Sequence, residues 1–424
     1  MTAALIMVAI PAWATTFTVN STADTGDATP DGICDSDPAA GVVCTLREAI
    51  QEANAPMNPG PDTINFAIPD TDCSAGVCTI NSSSELPLIT DPVIIDGYSQ
   101  PGASANTLAV GNDAVLKIEL SGPDALNGLK IEADNSTVQG LIISNWENGI
   151  WNFSDDPLDP VTNVRIEGNF IGTDATGTVT DPDGNPNSGD ELGNGLNGVL
   201  IRTGAANNTI GGTTAAAGNI ISGNGNSGSD PSLNTLSGVE VQFDLNDLPS
   251  KATGNRILSN SIYDNVKLGI DLYNTNNPPG VTDNDIAPLD TDDGPNHLQN
   301  FPVIKTAKLT TRRIGGHRRK VTLIKGTLNS NADTTFIVQF FGSPEADPSG
   351  FGEGKKFLGQ KSVNTNNDGD ATFTFQTRKK VPKGQFVTAT ATVTATASPT
   401  ATDQSVGDTS EFSKACMVPG VPCP

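Results

Sequence analysis

The chain has 424 residues, including 44 glycines and 29 prolines, and its formal net charge is −24. This composition favours short strands and turns over long helices, so it excludes a helical bundle and predicts an all-β protein. A strongly acidic surface repels nucleic acid, and no apolar stretch approaches the roughly 20 residues of a membrane-spanning helix.

Residues 1–14 predict an export signal. A short apolar run at residues 3–10 precedes Ala12 and Ala14, which form the small-x-small pattern that signal peptidases cleave. The run lacks the usual preceding Lys or Arg, and a buried first strand is the alternative interpretation. Export would deliver the chain to an oxidising compartment, so we expect a secreted or cell-surface protein.

The six cysteines fall into three pairs that are close in sequence. Local disulfides fit an exported chain, whereas a zinc site needs four close ligands and the chain has only two histidines, His297 and His317. The predicted disulfides join Cys34 to Cys44, Cys73 to Cys78 and Cys416 to Cys423.

Residues 15–125 are interpreted as an N-terminal cap followed by the first coils of a solenoid. Thr45 and Glu48 have the spacing of a capping box, in which each side chain bonds the other residue's backbone N–H. Leu46 and Ala49 then lie on one apolar face of a short amphipathic helix. A helix at this position would cover the exposed edge of the first coil.

Residues 126–304 repeat a pattern in which a small or polar residue precedes glycine and then apolar alternation. The shortest repeat, from Gly128 to Gly149, is 21 residues long and suits one coil of three short strands. Alternate apolar side chains would stack inside the coils, and asparagines at the turns would adopt left-handed backbone angles and form amide ladders. We therefore expect a parallel β-helix. The glycines that open the repeats are Gly128, Gly149, Gly198, Gly238 and Gly269.

Residues 44–50, CTLREAI, resemble the CSLREA-type domain at the N-terminus of secreted bacterial β-helix proteins, with Thr45 where that family has serine. Residues 168–174 and 209–212 resemble the right-handed, pectin-lyase-like parallel β-helix repeats that accompany this domain. The resemblance covers about residues 15–304. It implies a right-handed β-helix whose long faces bind or cut polysaccharides.

The charge changes sign near Phe301. Residues 1–300 contain 8 basic and 39 acidic side chains, whereas residues 301–424 contain 16 basic and 9 acidic ones. Such a break marks a domain boundary.

Alternating β-branched and aromatic residues in the segment 305–415 predict a small antiparallel β-sandwich. Residues 408–412 resemble the immunoglobulin-like modules that often follow such helices. The Thr/Ala-rich segment 388–402 is interpreted as an inserted, flexible loop, and residues 416–424 as a C-terminal tail.

The chain has no recognisable catalytic motif. Both histidines lie outside the repeats, which argues against a Ser-His-Asp enzyme, and there is no HExxH or P-loop pattern. The fold resemblance would imply an Arg or Lys base for a lyase, with Ca²⁺ neutralising the uronate; a hydrolase would use two carboxylates about 5 to 10 Å apart. Solvated surface cations are the alternative interpretation. The candidate cations are Lys130, Arg165, Arg202, Arg256 and Lys267, and Asp244 is the acidic residue that lyase activity would single out together with Arg165 and Arg202.

An acidic segment before the charge break is the candidate metal site. Ca²⁺ takes six to eight oxygen ligands, which a Gly/Asn/Asp-rich loop can supply, although the segment lacks EF-hand spacing. Bound calcium would brace the junction between solenoid and sandwich, and a plain solvated acidic loop is the alternative. The candidate ligands are Asp271, Asp283, Asp285, Asp290, Asp292 and Asp293.

A basic hairpin is the candidate anion-binding site. Arg312, Arg313, Arg318 and Arg319 flank a Gly-Gly turn. An anionic glycan or lipopolysaccharide could dock there, and docking against the protein's own acidic body is the alternative.

These observations favour a non-catalytic, adhesin-like protein that binds a polysaccharide or cell-surface glycan, with the sandwich as spacer or anchor. A polysaccharide lyase or hydrolase of the pectin-lyase-like class is the second hypothesis, and it rests on fold analogy alone. A structural component of the cell envelope is the third. The patterns predict no particular oligomeric state.

Overall fold

The computed structural model describes residues 14–35, 43–55, 61–156, 158–184, 191–202, 204–225, 236–243, 252–274, 280–285, 290, 293–396, 406–420 and 422–423. The predicted export signal lies almost entirely outside these residues. No helix within them is long and apolar enough to cross a membrane.

The protein is mostly β, as the composition predicts. The first part, which we call the parallel part, contains one α-helix and twenty short strands in the described residues. In chain order these are β1 (Thr16–Val19), α1 (Leu46–Ala53), β2 (Asp62–Phe66), β3 (Cys78–Asn81), β4 (Val93–Asp96), β5 (Ile118–Ser121), β6 (Leu129–Ile131), β7 (Thr137–Gln139), β8 (Leu141–Ser144), β9 (Ile150–Asn152), β10 (Val161–Thr162), β11 (Arg165–Glu167), β12 (Phe170–Ile171), β13 (Val199–Ile201), β14 (Ala205–Ala206), β15 (Thr209–Gly211), β16 (Ile220–Ser222), β17 (Val239–Phe243), β18 (Arg256–Leu258), β19 (Ser261–Tyr263) and β20 (Ile270–Asn274).

These strands form three parallel sheets. The first sheet has the order β1-β2-β4-β7-β11-β15-β18, the second β3-β5-β8-β12-β16-β19 and the third β6-β9-β13-β17-β20, while β10 and β14 form a separate pair. From β4 to β20 the chain adds one strand to the first sheet, one to the second and one to the third, and it completes this round five times. Each sheet therefore grows by one strand per round.

One apolar core runs along all three sheets. In the first sheet, for example, successive strands place one buried aliphatic residue beside the next, so that Ile95, Val138, Ile166, Ile210 and Ile257 form a continuous row. Burial of each such side chain contributes about 1.5–3 kcal/mol.

Asparagine ladders join the turns of neighbouring strands, as the sequence predicts. Asn219 donates its side-chain amide to Oδ1 of Asn260 across 2.9 Å, and Asn169 donates to Asn219 in the same way. Left-handed backbone angles occur at asparagines outside the ladders, such as Asn135 and Asn145, and among the ladder residues at Asn296. The four ladders are Asn127–Asn148–Asn197, Asn169–Asn219–Asn260, Asn194–Asn224–Asn265 and Asn208–Asn255–Asn296.

Helix α1 packs against β1 and β2 at the start of the parallel part. Its buried face contains Leu46, Ala49 and Ile50, and Thr45 accepts a hydrogen bond from the Glu48 N–H at 3.2 Å. The carboxyl oxygens of Glu48 make no hydrogen bond of normal geometry with the described residues. The Glu48 carboxyl group nevertheless lies near the Thr45 N–H, which offsets part of the rise in its pKa that burial causes, so the two residues take the arrangement of the predicted capping box.

The remaining chain, which we call the C-terminal part, forms two antiparallel sheets around a second core. Their orders are β21-β22-β25 and β24-β23-β26-β27. The strands are β21 (Val303–Ile314), β22 (His317–Asn329), β23 (Thr334–Ser343), β24 (Lys356–Asn364), β25 (Asp370–Thr377), β26 (Phe386–Thr396) and β27 (Cys416–Met417).

Two details of the C-terminal part differ from the sequence interpretation. Much of the Thr/Ala-rich segment is strand, because Ala389, Ala391 and Val393 are buried in β26; residues 397–405 lie outside the described part. Cys416 and Met417, assigned to the tail, pair with β26 as β27. All three predicted disulfides are confirmed.

The C-terminal part covers the last strand of each parallel sheet. An edge strand presents unpaired backbone groups, which proteins usually cover. Here the covering groups are side chains and one short bridge, so this part acts as a cap on the parallel sheets. The contacts are Ile257 N–H to Thr409 Oγ1 at 3.1 Å, an antiparallel bridge between Ile262 and Gly354, and Leu272 N–H to Glu411 Oε1 at 3.1 Å.

Candidate functional site

The predicted basic hairpin extends beyond its sheet. Strands β21 and β22 pair as far as Ile314 and His317, whereas β25 pairs with β22 only from Thr322 onward. Residues 311–320 therefore form a two-stranded ribbon, which we call the basic arm. Its turn consists of Gly315 and Gly316, both with positive φ, as a two-residue hairpin turn requires.

Strand register places arginines directly opposite each other in the basic arm. Arg312 faces Arg319, and Arg313 faces Arg318. Because neighbouring residues of a strand point to opposite faces, each face of the ribbon carries one arginine pair. Like charges in such positions destabilise a hairpin. An anion bound between the two guanidinium groups would remove this cost.

The basic arm does not dock against the acidic body. Its four arginines and Lys320 are exposed, and the described residues provide no ion pair to any of them. Arg313 donates from Nε to the carbonyl oxygen of Gly316 at 3.2 Å, which keeps one side chain along the turn. Each guanidinium retains several N–H donors, arranged as a fork that matches carboxylate or sulfate oxygens.

The predicted calcium ligands do not form one cluster. Among the described residues, no three Asp, Glu, His or Cys side chains lie in an arrangement that could hold a metal ion, and Asp292 is outside those residues. Asp283 and Asp293 are exposed, and Asp285 bonds through its N–H to Asn300 Oδ1 at 2.9 Å. A calcium site therefore stays a sequence-based prediction.

Asp290 links two segments at the junction. Its Oδ2 accepts hydrogen bonds from the Asn300 N–H at 3.1 Å and from the Ser330 hydroxyl at 2.8 Å. Ser330 follows β22, so this carboxylate links the segment after the parallel part to the C-terminal sheets.

Asp271 lies in a buried acidic cluster that the sequence did not indicate. It faces Glu240 across β17 and β20, and Glu411 of the cap lies nearby. Oδ1 of Asp271 has no hydrogen-bond partner among the described residues. Glu240 interacts with the side chain of Asn197, which opposes the rise in the pKa of Glu240 that burial causes. Burial raises the pKa of Asp271 to about 7, and burial followed by repulsion from Asp271 raises the pKa of Glu240 and Glu411 well above the ordinary range.

Most of the candidate lyase cations are engaged elsewhere. Lys130 pairs with Glu85, and Arg165 pairs with Glu167 at 2.6 Å. Arg256 donates to the carbonyl oxygen of Val406 at 3.2 Å. Arg202 lies 5.9 Å from the ring centroid of Trp151, and it is also near enough to Glu240 to oppose the rise in the pKa of that carboxyl group. Asp244 lies outside the described residues.

Lys267 differs from these cations because it lines a cavity. The cavity has a volume of about 340 Å³ and lies at the junction, with Asp271 and Asp347 also in its wall. A cation and a carboxylate thus line one open cavity.

Comparison of the chain with protein-family models finds no match, and comparison with curated proteins finds none either.

Proposed function

We propose that this protein is a secreted or cell-surface parallel β-helix protein that binds an anionic polysaccharide through its basic arm. The observation that carries the proposal is the opposed arginine pairs, which are exposed, lie beyond the sheet and form no ion pair with the described residues.

Several features support the fold and its location. A solenoid explains why the chain passes through the three sheets in a fixed order, with one coil for each round of three strands. The continuous aliphatic rows and the asparagine ladders also support a solenoid. A right-handed winding, the CSLREA-type cap and the immunoglobulin-like module belong to this proposal on the sequence resemblance. Three disulfides support an oxidising, extracellular setting.

Charge distribution supports a polymeric anion as the ligand. The first 300 residues carry a net charge of −31, so a long polyanion would be repelled along most of the surface. The basic arm holds five cations within ten residues and projects from its sheet. Each face of the arm carries one arginine pair, so a polymer with regularly spaced carboxylates could place one carboxylate against either pair.

The test compares retention on immobilised alginate, which carries a carboxylate on every sugar, with retention on neutral dextran. Substitution of Arg312, Arg313, Arg318 and Arg319 by Gln should abolish retention on alginate at physiological ionic strength. The matched control replaces four exposed lysines of the same C-terminal part by Gln, which changes the net charge equally. These are Lys305, Lys325, Lys380 and Lys414.

The control variant should retain most of the binding. Equal losses in the two variants would show that total charge alone governs retention, and undiminished binding after loss of the arginines would refute the role of the basic arm. Thermal unfolding of each variant verifies that it remains folded.

Polysaccharide cleavage is a second candidate function, and the junction cavity favours it. Lys267 and Asp271 line that cavity, and Glu240 faces Asp271 across the strands. The raised pKa of Asp271 suits a proton donor near neutral pH. New reducing ends or unsaturated products from uronate polymers, lost in Asp271→Asn, would establish this activity; their absence at high protein concentration would exclude it.

A further inference from the structure

A second and larger cavity lies over the outer face of the second parallel sheet. Its volume is about 550 Å³, within the range of small-molecule sites. Ile220 of β16 and Tyr263 of β19 form part of its floor. Its walls come from residues 106–112, residues 213–215 and residues 355–357 of the C-terminal part.

Hydrogen bonds hold the three walls together. Asn106 donates from Nδ2 to the carbonyl oxygen of Ala215 at 2.9 Å, which ties the first wall to the second. Lys379 donates from Nζ to the carbonyl oxygens of Ala109 and Phe357, both at 2.9 Å, which ties the first wall to the third. The cavity is therefore preformed, and a ligand would lose little free energy in ordering it.

The cavity offers an unusual amount of apolar surface for the outer face of a sheet. Phe170, Ile220 and Tyr263 form an apolar cluster there, separate from the main core. In the first wall, Leu108 and Val110 are each 44% exposed. A ligand with an apolar body would remove these side chains from water.

The charge of the cavity is opposite to that of the whole chain. Lys355 and Lys356 line it, and no Asp or Glu is among the described residues that do so. The Lys355 ammonium lies 3.7 Å from the ring centroid of Tyr263. Its contact with Asp264, at 3.7 Å, joins two exposed groups and neutralises little. In a chain of net charge −24, this cavity selects an anion.

We infer that the cavity binds a small amphipathic anion, with a carboxylate or sulfonate against Lys355 and Lys356 and a flat apolar body over Ile220 and Tyr263. This site is independent of the basic arm. Tyr263 lies in the cavity floor beneath the Lys355 ammonium and is fixed by its hydroxyl, which donates to the carbonyl oxygen of Gly177 at 2.9 Å. An aromatic acid has the required shape and charge.

The probes for the test are anilinonaphthalene sulfonate and the uncharged phenylnaphthylamine, which share an apolar body. Fluorescence titration of the folded protein should show one saturable sulfonate site and weaker binding of the amine. The variant Lys355→Gln/Lys356→Gln should bind the sulfonate roughly five- to tenfold more weakly, as expected for two partly exposed charge contacts. Lys305→Gln/Lys325→Gln, in which both changed residues lie outside the cavity, should bind as the wild type does.

A third variant tests the location of the site. Val110→Glu places a carboxylate in the exposed part of the wall, so it should weaken sulfonate binding while leaving the melting temperature unchanged. The variant that lacks the four arginines of the basic arm should bind the probe normally, which separates this site from the polysaccharide site. Equal affinity for sulfonate and amine, or unchanged affinity in either cavity variant, would overturn the inference.

Discussion

Asn265 donates its side-chain amide to Oε1 of Glu353 across 2.9 Å, at the point where an asparagine ladder meets the cap. The ladder Asn194–Asn224–Asn265 would otherwise end at Asn265, because β19 is the last strand of the second parallel sheet. Without Glu353 the Asn265 amide would keep only its bonds within the parallel part, such as that to the carbonyl oxygen of Ile221 at 3.2 Å. Glu353 comes from the loop between β23 and β24, and it takes the position of the next asparagine. A side chain of the C-terminal part thus completes a ladder of the parallel part.

The buried carboxyl groups predict that stability falls as pH rises. Burial raises the pKa of Asp271 to about 7 and that of Glu353 to about 8. The folded state therefore keeps protons that the unfolded state releases above its ordinary carboxyl pKa, and this stabilisation is lost as pH passes through the folded values. We expect the melting temperature to fall between about pH 5 and about pH 8.5. A melting temperature that rises over this window would contradict the assignment.

The variant Glu353→Gln distinguishes the effect of this buried carboxyl group on the melting temperature from the effect of charge repulsion across the whole acidic chain. Glutamine keeps the Oε1 acceptor for Asn265 and cannot ionise. We expect the variant to melt like the wild type at low pH and at a higher temperature than the wild type near pH 8.5, since no buried charge forms there. The control is Glu345→Gln, an exposed change that should leave the pH dependence as it is. Parallel pH profiles for Glu353→Gln and the wild type would refute the role of Glu353.

Asn219→Ala should strongly destabilise the parallel part. Oδ1 of Asn219 accepts from the N–H and the side-chain amide of Asn169, and its own amide donates to the carbonyl oxygen of Ile166 at 2.8 Å. Alanine leaves these buried groups unpaired at about 1–3 kcal/mol each, so we expect a loss of roughly 3 kcal/mol or more in urea unfolding. Asn112→Ala removes an exposed side chain that bonds only its own loop, and it should cost less than about 1 kcal/mol. Equal losses would show that the ladder contributes no special stability.

Thr409→Val tests the cap at a single edge contact. Valine has a similar shape but cannot accept the hydrogen bond from the Ile257 N–H. The change leaves the buried Ile257 N–H without its acceptor, at a cost of about 1–3 kcal/mol, so this amide should exchange with solvent at least roughly fivefold faster. The variant also removes the contacts of Thr409 Oγ1 with the Thr392 hydroxyl and the Gly407 carbonyl oxygen. The Leu272 amide, which donates to Glu411, should keep its rate. Unchanged exchange at Ile257 would mean that the edge is protected by something other than Thr409.

Local patterns in the sequence were sufficient to predict the secondary structure elements and the disulfides of this protein. Period-2 apolar residues, repeated Asn and Gly, and neighbouring cysteines depend on residues close in sequence, and they predicted short strands, amide ladders, the two kinds of sheet and all three disulfides. The Gly-Gly turn of the basic hairpin was likewise predicted from neighbouring residues. Each of these features arises from contacts whose geometry follows from spacing along the chain.

Long-range register was decided only by the tertiary structure. Glu240, Asp271 and Glu411 come from three distant segments, and loops of unequal length hide their adjacency. The capping of β18, β19 and β20 depends on how the C-terminal part docks. The alternating apolar pattern of a strand does not reveal which distant segment will pack against it. The opposed arginines illustrate the division: the sequence determined that the hairpin is basic, whereas strand register and the early end of β25 decided that the charges face each other beyond the sheet.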